Sequence, residues 1–135
     1  LSYLLDTNVI SETRKRRPEP KVVRWLESSA PDALYVSVLT LGEIAKGIEL
    51  QRRRDRLAAA ALEEWLRGLG ERFTDHIIPV DQEIANCWGR LSTDAHLPVV
   101  DGLLAATAVV RGLALVTRNT GDVARTGAPI VNPWD

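Results

Sequence analysis

Four acidic residues stand where an apolar run ends or a helix begins: Asp6, Glu43, Asp101 and Asp122. Carboxylates drawn to within ~4 Å of one another repel, and burial sharpens the repulsion. A divalent cation relieves it, and the oxygen-seeking ions Mg²⁺ and Mn²⁺ take Asp and Glu as ligands. Ions held this way grip a phosphodiester, activate a water and stabilise the leaving oxygen, so such a site needs no His or Cys nucleophile. Each acid alone also has a plain structural job. Asp6 can cap a helix, Asp122 can form a turn, and Glu43 has capping-box spacing to Thr40. Asp101 is harder to assign that way. It sits between Val99-Val100 and Leu103-Leu104-Ala105-Ala106, and Asp is seldom buried without a partner. Polar neighbours of the acids, Thr7, Asn8, Thr117 and Asn119, suit the orienting of carboxylates or waters, or capping and turn formation. Glu12 faces either the acids or solvent.

Alternating elements position these residues. Ser2–Leu5 reads as a buried strand ending at Asp6. A short helix follows from Thr7 or Asn8 to Arg14, and Pro20 opens another to about Ser29. Leu34–Val38 is a second strand, and Ser37 or Thr40 starts a helix with Leu41, Ile44, Ala45 and Ile48 inward. A further amphipathic helix covers Arg54 to Gly70, with Leu57, Ala61, Leu62, Trp65, Leu66 and Leu69 repeating every three to four residues. Ile77–Val80 is a strand. Asp81 caps a helix carrying Ile84, Ala85, Trp88, Leu91 and Ala95 on one face. Val100–Val110 is an Ala- and Leu-rich helix stopped by Gly112. Leu113–Thr117 is a buried strand, Gly121-Asp122 begins a helical turn, and Pro129–Val131 is an edge strand. This order predicts a single α/β domain over 1–135, with a mostly parallel sheet of about five short strands flanked by helices. Sites in such sheets lie beyond the carboxyl ends of the strands, where this order allows all four acids to gather.

At 135 residues, 45% of them hydrophobic and 26% charged, the chain has an ordinary globular balance. One cysteine, Cys87, excludes an internal disulfide framework and fits a reducing compartment. No apolar run reaches the ~20 residues of a membrane span, and Asp6 and Asn8 interrupt the only apolar stretch near the start, so neither a membrane anchor nor a secretory leader is expected. The formal net charge of −1 counts against nucleic-acid binding. The clustering of cations at 14–17 and 52–56 counts for it, although a solvated face is the plainer reading of either run. His76 and His96 lack metal-ligand spacing and read as surface or loop residues. Cys87 reads as a small buried hydrophobe. Trp25, Trp65 and Trp88 read as core anchors, and Trp134 as packing the tail onto the domain.

Several segments together resemble the PIN-domain nucleases. Leu4-Leu5-Asp6-Thr7-Asn8-Val9-Ile10-Ser11-Glu12 is similar to their opening motif, and Ser37-Val38-Leu39-Thr40-Leu41-Gly42-Glu43-Ile44 to their second. Asp101-Gly102-Leu103-Leu104-Ala105-Ala106-Thr107-Ala108 resembles the third, and Val116-Thr117-Arg118-Asn119-Thr120-Gly121-Asp122 the fourth. The closing Val131-Asn132-Pro133-Trp134 resembles the FitB-like branch of the VapC-type toxins. The resemblance implies a PIN-like domain that cuts single-stranded RNA with Mg²⁺ or Mn²⁺, acting in the cytoplasm as the toxin of a toxin–antitoxin pair. It further implies a homodimer, a cognate antitoxin that blocks the site, and operator DNA bound through that antitoxin. On it, Asp6, Glu43, Asp101 and Asp122 take the catalytic and metal-binding positions, with Asn8 and Thr117 in support. Val123 departs from the pattern, since many members carry an aromatic residue after the fourth acid.

Two other classes fit less well. A haloacid-dehalogenase-like phosphatase needs a second Asp two positions after the first, where Asn8 stands. It also needs a late lysine, as does a receiver-like phosphoacceptor, yet the lysines are Lys15, Lys21 and Lys46. A catalytically silent PIN-fold interaction module is the remaining alternative. Its indifference to chelators would distinguish it.

Overall fold

Three apolar segments lie side by side in the middle of the molecule: β1 (Tyr3–Leu5), β2 (Leu34–Ser37) and β4 (Ala114–Val116). With β3 (Ile77–Ile78) and β5 (Ile130–Val131) at the edges, they form one five-stranded sheet in the order β3-β2-β1-β4-β5. Every pairing is parallel, with Tyr3 opposite both Leu34 and Ala114, and Leu5 opposite Val116. The computed structural model describes residues 1–93 and 97–135. Ala95 and His96, expected on a helix face and at the surface or in a loop, lie outside the described residues.

Among the described residues, six helices cover the sheet: α1 (Thr7–Glu12), α2 (Pro20–Ser28), α3 (Val38–Arg52), α4 (Arg56–Arg72), α5 (Gln82–Leu91) and α6 (Val99–Arg111). The central strands are apolar on both sides because each side meets a core. Leu4 and Leu115 pack with Ile84, Cys87 and Leu104 of α5 and α6 on one face. Leu5, Val36 and Val116 pack with Val9, Val22, Ile44, Ile48 and Leu69 on the other. Trp88 joins the first core, and Trp25, Trp65 and Trp134 the second.

The boundaries follow local chemistry. Ser37, not Thr40, caps α3, accepting the Leu39 N–H at 3.0 Å. Asp55 caps α4 through the Ala58 N–H at 3.1 Å, which starts that helix two residues later than its apolar repeat suggests. The third strand stops at Ile78 because Pro79 has no N–H to give a neighbouring strand. Asp81 caps α5 at 2.9 Å and also pairs with Arg111 at 2.6 Å, tying α5 to the end of α6. Gly112 ends α6 with φ +68°, the left-handed conformation glycine adopts freely. Some apolar positions do not reach a core: Ala45, Ala61 and Ala85 are exposed, and Leu57 is 85% exposed. Those on the α3–α4 pair belong to an outer layer with no further layer over it.

Candidate active site at the carboxyl edge of the sheet

The strand order reverses between β1 and β4. From β1 the chain steps outward through β2 and β3, then returns to the opposite side for β4 and β5. Open parallel sheets form a crevice at such a point, beyond the carboxyl ends of the two strands. Asp6 is the first residue past β1, and Thr117 the first past β4.

Asp6 is 9% exposed and both of its oxygens are tied down. Oδ1 accepts the Thr7 N–H at 2.7 Å, capping α1, and Oδ2 accepts the Thr117 hydroxyl at 2.7 Å. Thr117 itself is buried, and its hydroxyl oxygen accepts the Asn119 N–H at 3.0 Å, which turns the chain after β4. Thr7 reaches the other way. Its hydroxyl donates to Glu43 Oε1 at 2.5 Å, with the buried Thr40 hydroxyl 3.4 Å behind it. One threonine therefore holds a carboxylate from the β1 turn and one from α3. Glu43 is free for this because Ser37 took over the capping of α3. The Thr40–Glu43 spacing that reads as a capping box in sequence instead places both side chains on the helix face toward Thr7.

Asp101 lies half-buried in the first turn of α6, where unpaired helix N–H groups favour a negative charge. Gly102 lets that turn press against α5: a Cβ there would meet Cδ1 and Nε1 of Trp88 at 3.0 Å. The Asn119 amide stands 3.5 Å from Asp101 Oδ2. The Asp101 carboxyl is nevertheless pushed above the ordinary aspartate range. Loss of water is the largest cause, followed by the charges of Asp6 and Glu43 and, more weakly, Asp122, while Asn119 acts in the opposite sense. The four acids therefore share one electrostatic neighbourhood. Asp122 is its outer member, exposed at the start of a 3₁₀ turn (Val123–Thr126) and capping nothing with its side chain.

Asn8 follows Thr7 into α1. Its Oδ1 is buried and has no hydrogen-bond partner, a rare condition for a buried oxygen. Among the described residues, no three acidic groups stand at the spacing needed to clamp a single ion directly.

Glu12 faces neither the acids nor solvent. It is 4% exposed, pairs with Lys15 at 2.9 Å and accepts the Glu19 N–H at 2.8 Å, closing the turn between α1 and α2. The Lys15 hydrogen bond first, then that N–H, hold its carboxyl below the usual glutamate value. His76 is likewise half-buried: its Nδ1 lies 2.9 Å from the Leu34 carbonyl oxygen, and its ring stacks on Tyr35 at 4.3 Å.

The basic runs divide. Arg14 lies over the Trp65 ring at 5.9 Å and Lys15 is engaged by Glu12. In the second run Arg52 pairs with Glu49 and Glu63. Arg16 and Arg17 remain exposed on the turn after α1.

Acidic side chains gathered at the reversal of a short, all-parallel β3-β2-β1-β4-β5 sheet place the chain among α/β folds with a polar crevice at a topological switch point. The PIN domain family matches residues 3–128, and the chain belongs to that family. It is 34% identical to the plasmid stability protein StbB of Pseudomonas syringae pv. tomato, with 98% of each chain covered. Identity is 32% to Toxin FitB of Neisseria gonorrhoeae, covering 97% of each, and 31% to the VapC ribonuclease Y4jK of Sinorhizobium fredii, covering 98% of this chain and 97% of the relative. The fold superposes on FitAcB from Neisseria gonorrhoeae with a TM-score of 0.91 at 31% identity over 98% of each chain. It superposes on FitAB bound to an IR36 DNA fragment with a TM-score of 0.89 at 29% identity, covering 98% of this chain and 96% of the other. No helix among the described residues is long and apolar enough to cross a membrane.

Proposed function

We propose that this chain is a Mg²⁺- or Mn²⁺-dependent endoribonuclease for single-stranded RNA, the toxin of a toxin–antitoxin pair, with Asp6, Glu43, Asp101 and Asp122 as its catalytic and ion-holding acids. The observation that carries the reading is geometric: Thr7 ties Asp6 and Glu43 together, and the Thr117–Asn119 turn reaches Asp6 and Asp101, at the carboxyl edge of the sheet. A crevice that concentrates negative charge repels a phosphodiester unless a cation compensates it. The names of the relatives, Toxin FitB and VapC ribonuclease, supply the activity class.

The donor set fits a hard cation, because every candidate ligand is oxygen. Asp6 offers a carboxylate whose orientation is already fixed, and the unpartnered Asn8 Oδ1 is a further oxygen without a job. The spread of the acids suits an ion that keeps several waters and takes one or two carboxylates directly, as Mg²⁺ commonly does. When bound, such an ion neutralises charge at the scissile phosphate and lowers the pKa of a water. The residues of the chain do the rest. Thr117 and the Thr7 N–H hold Asp6 in place, the Thr7 hydroxyl aims Glu43, and Asn119 supports Asp101. Asp122, at the rim, acts through charge and through water. A cognate antitoxin covering the site, operator DNA reached through it, a homodimer and a cytoplasmic setting complete the reading. The solved toxin–antitoxin complex from Klebsiella pneumoniae, 29% identical over 99% of each chain, supports an antitoxin partner, and FitAB bound to a DNA fragment supports DNA reached through a complex.

The test is cleavage of a mixed single-stranded RNA pool by antitoxin-free protein, with Mg²⁺ or Mn²⁺ and with excess chelator, beside Asp101→Asn. Metal-dependent cutting that the substitution abolishes is expected. Cutting that survives both chelator and Asp101→Asn would overturn the reading.

A further inference from the structure

The turn after β4 faces two ways. Thr117 and Asn119 reach the acids, while Arg118 between them lies over the ring of Trp134 at 5.2 Å. Beside that pair is a hollow of about 430 Å³, between the turn after α1 and the C-terminal tail, that Arg17 and Trp134 help to line. Two acids also line it, but Glu12 is neutralised by Lys15 and Glu19 caps α2. Arg17 and Arg118 form no ion pair among the described residues. The ring is held on a fixed support, because the Trp134 N–H donates to Asn132 Oδ1 at 3.0 Å and Pro133 is buried. The tail borders a second hollow of about 650 Å³ carrying Lys21, Arg24 and Trp25.

We propose that this hollow is a strand-binding subsite for the RNA next to the scissile phosphate, in which Trp134 stacks one base and Arg17 and Arg118 take the phosphates on either side of it. The inference rests on the ribonuclease reading and adds to it the path of the strand. Single-stranded nucleic acid is gripped by cations along its backbone and by aromatic faces for its bases; here Arg118 follows Thr117 directly and the Trp134 ring lies against it. An acidic peptide would use the cations and leave the ring idle, so RNA is the occupant that uses every feature. The path also explains how a chain of net charge −1 holds a polyanion: Arg17 and Arg118, two of the cations outside the ion pairs found among the described residues, border the site.

The experiment is fluorescence anisotropy of a labelled oligouridine about ten nucleotides long, titrated with Asp101→Asn protein in Mg²⁺ at several salt concentrations, so that cutting does not interfere. Arg118→Gln and Arg17→Gln should each reduce the slope of log affinity against log salt by about 0.7. Trp134→Leu should weaken binding about tenfold with the slope unchanged, and Trp134→Phe should restore most of the loss, which separates stacking from tail packing. If wild-type protein cuts RNA while the Arg118→Gln and Trp134→Leu variants bind oligouridine with unaltered affinity and slope, the subsite is wrong and the ribonuclease reading stands. If wild-type protein neither cuts nor binds RNA, both fall. Loss of oligoglutamate binding in Arg118→Gln, with oligouridine binding intact, would overturn the subsite in favour of an acidic protein partner.

Discussion

Glu12 and Asp101 are both carboxylates withdrawn from water, and they end in opposite states. Glu12 is the more deeply buried, yet its charge is welcome, because Lys15 and the Glu19 N–H answer both of its oxygens. Asp101 is only half-buried, yet its charge is resisted, because its neighbours are three more acids and one long contact to an amide. Depth of burial therefore does not distinguish a structural acid from a proposed catalytic one here. What distinguishes them is whether the fold itself supplies the countercharge. At Glu12 it does, and the acid closes a turn. At Asp101 it does not, and the deficit is what an ion from solution would fill.

The comparison can be broken in several places. The largest effect is expected at the acids: Asp6→Asn should slow metal-dependent RNA cleavage on the order of 10³-fold while leaving the circular-dichroism spectrum unchanged. Near-wild-type turnover in that variant would remove Asp6 from the chemistry. Glu12→Ala should do the reverse, destabilising the fold by about 2 kcal/mol through the orphaned Glu19 N–H and the lost Lys15 pair, with turnover per folded molecule kept. Denaturant midpoints and cleavage rates on the same preparations would separate the two. A smaller effect of opposite sign belongs to Asp101→Asn in chelator, which should stabilise the protein by a few tenths of a kcal/mol by relieving repulsion and blunt the rise in Tm that millimolar Mg²⁺ gives the wild type. A lowered Tm in chelator would mean the Asp101 charge is already satisfied.

The same pair predicts the pH profile of metal-free protein. The Asp101 carboxyl is raised in the fold, so its favourable state is the protonated one. Its contribution is present below the unfolded aspartate value and is lost as pH rises through the higher folded value. The Glu12 carboxyl is lowered, so its contribution is present above the unfolded glutamate value and is lost as pH falls through the lower folded value. Melting temperature against pH should show the first limb disappear in Asp101→Asn and the second in Glu12→Ala.

Much of this was legible in the residues themselves. Short apolar runs ending in Asp6 and Thr117 mark strand ends, and the reversal between them follows once the strands are parallel. Spacing along one segment was less reliable than partners across segments. Thr40 and Glu43 have the spacing of a cap, but the Ser37 hydroxyl satisfies the helix end, and Thr7, 36 residues away from Glu43, claims the glutamate. Glu12 could not be assigned because its partners, Lys15 and Glu19, depend on how the following turn folds back. Leu57 and Ala61 repeat with the helical period, but periodicity does not say whether another layer covers the helix. Arg118 gave no signal at all, since its meaning lies in the tail that brings Trp134 beneath it.

The bond between Thr117 and Asp6 spans 111 residues of chain, and the strand that carries Thr117 pairs directly with β1. During synthesis Asp6 leaves the ribosome long before β4 exists, so β1 waits without its central neighbour while everything between is made. No shorter nascent stretch carries the assembled crevice, because the hydroxyl that holds the second oxygen of Asp6 arrives only with the residue after β4.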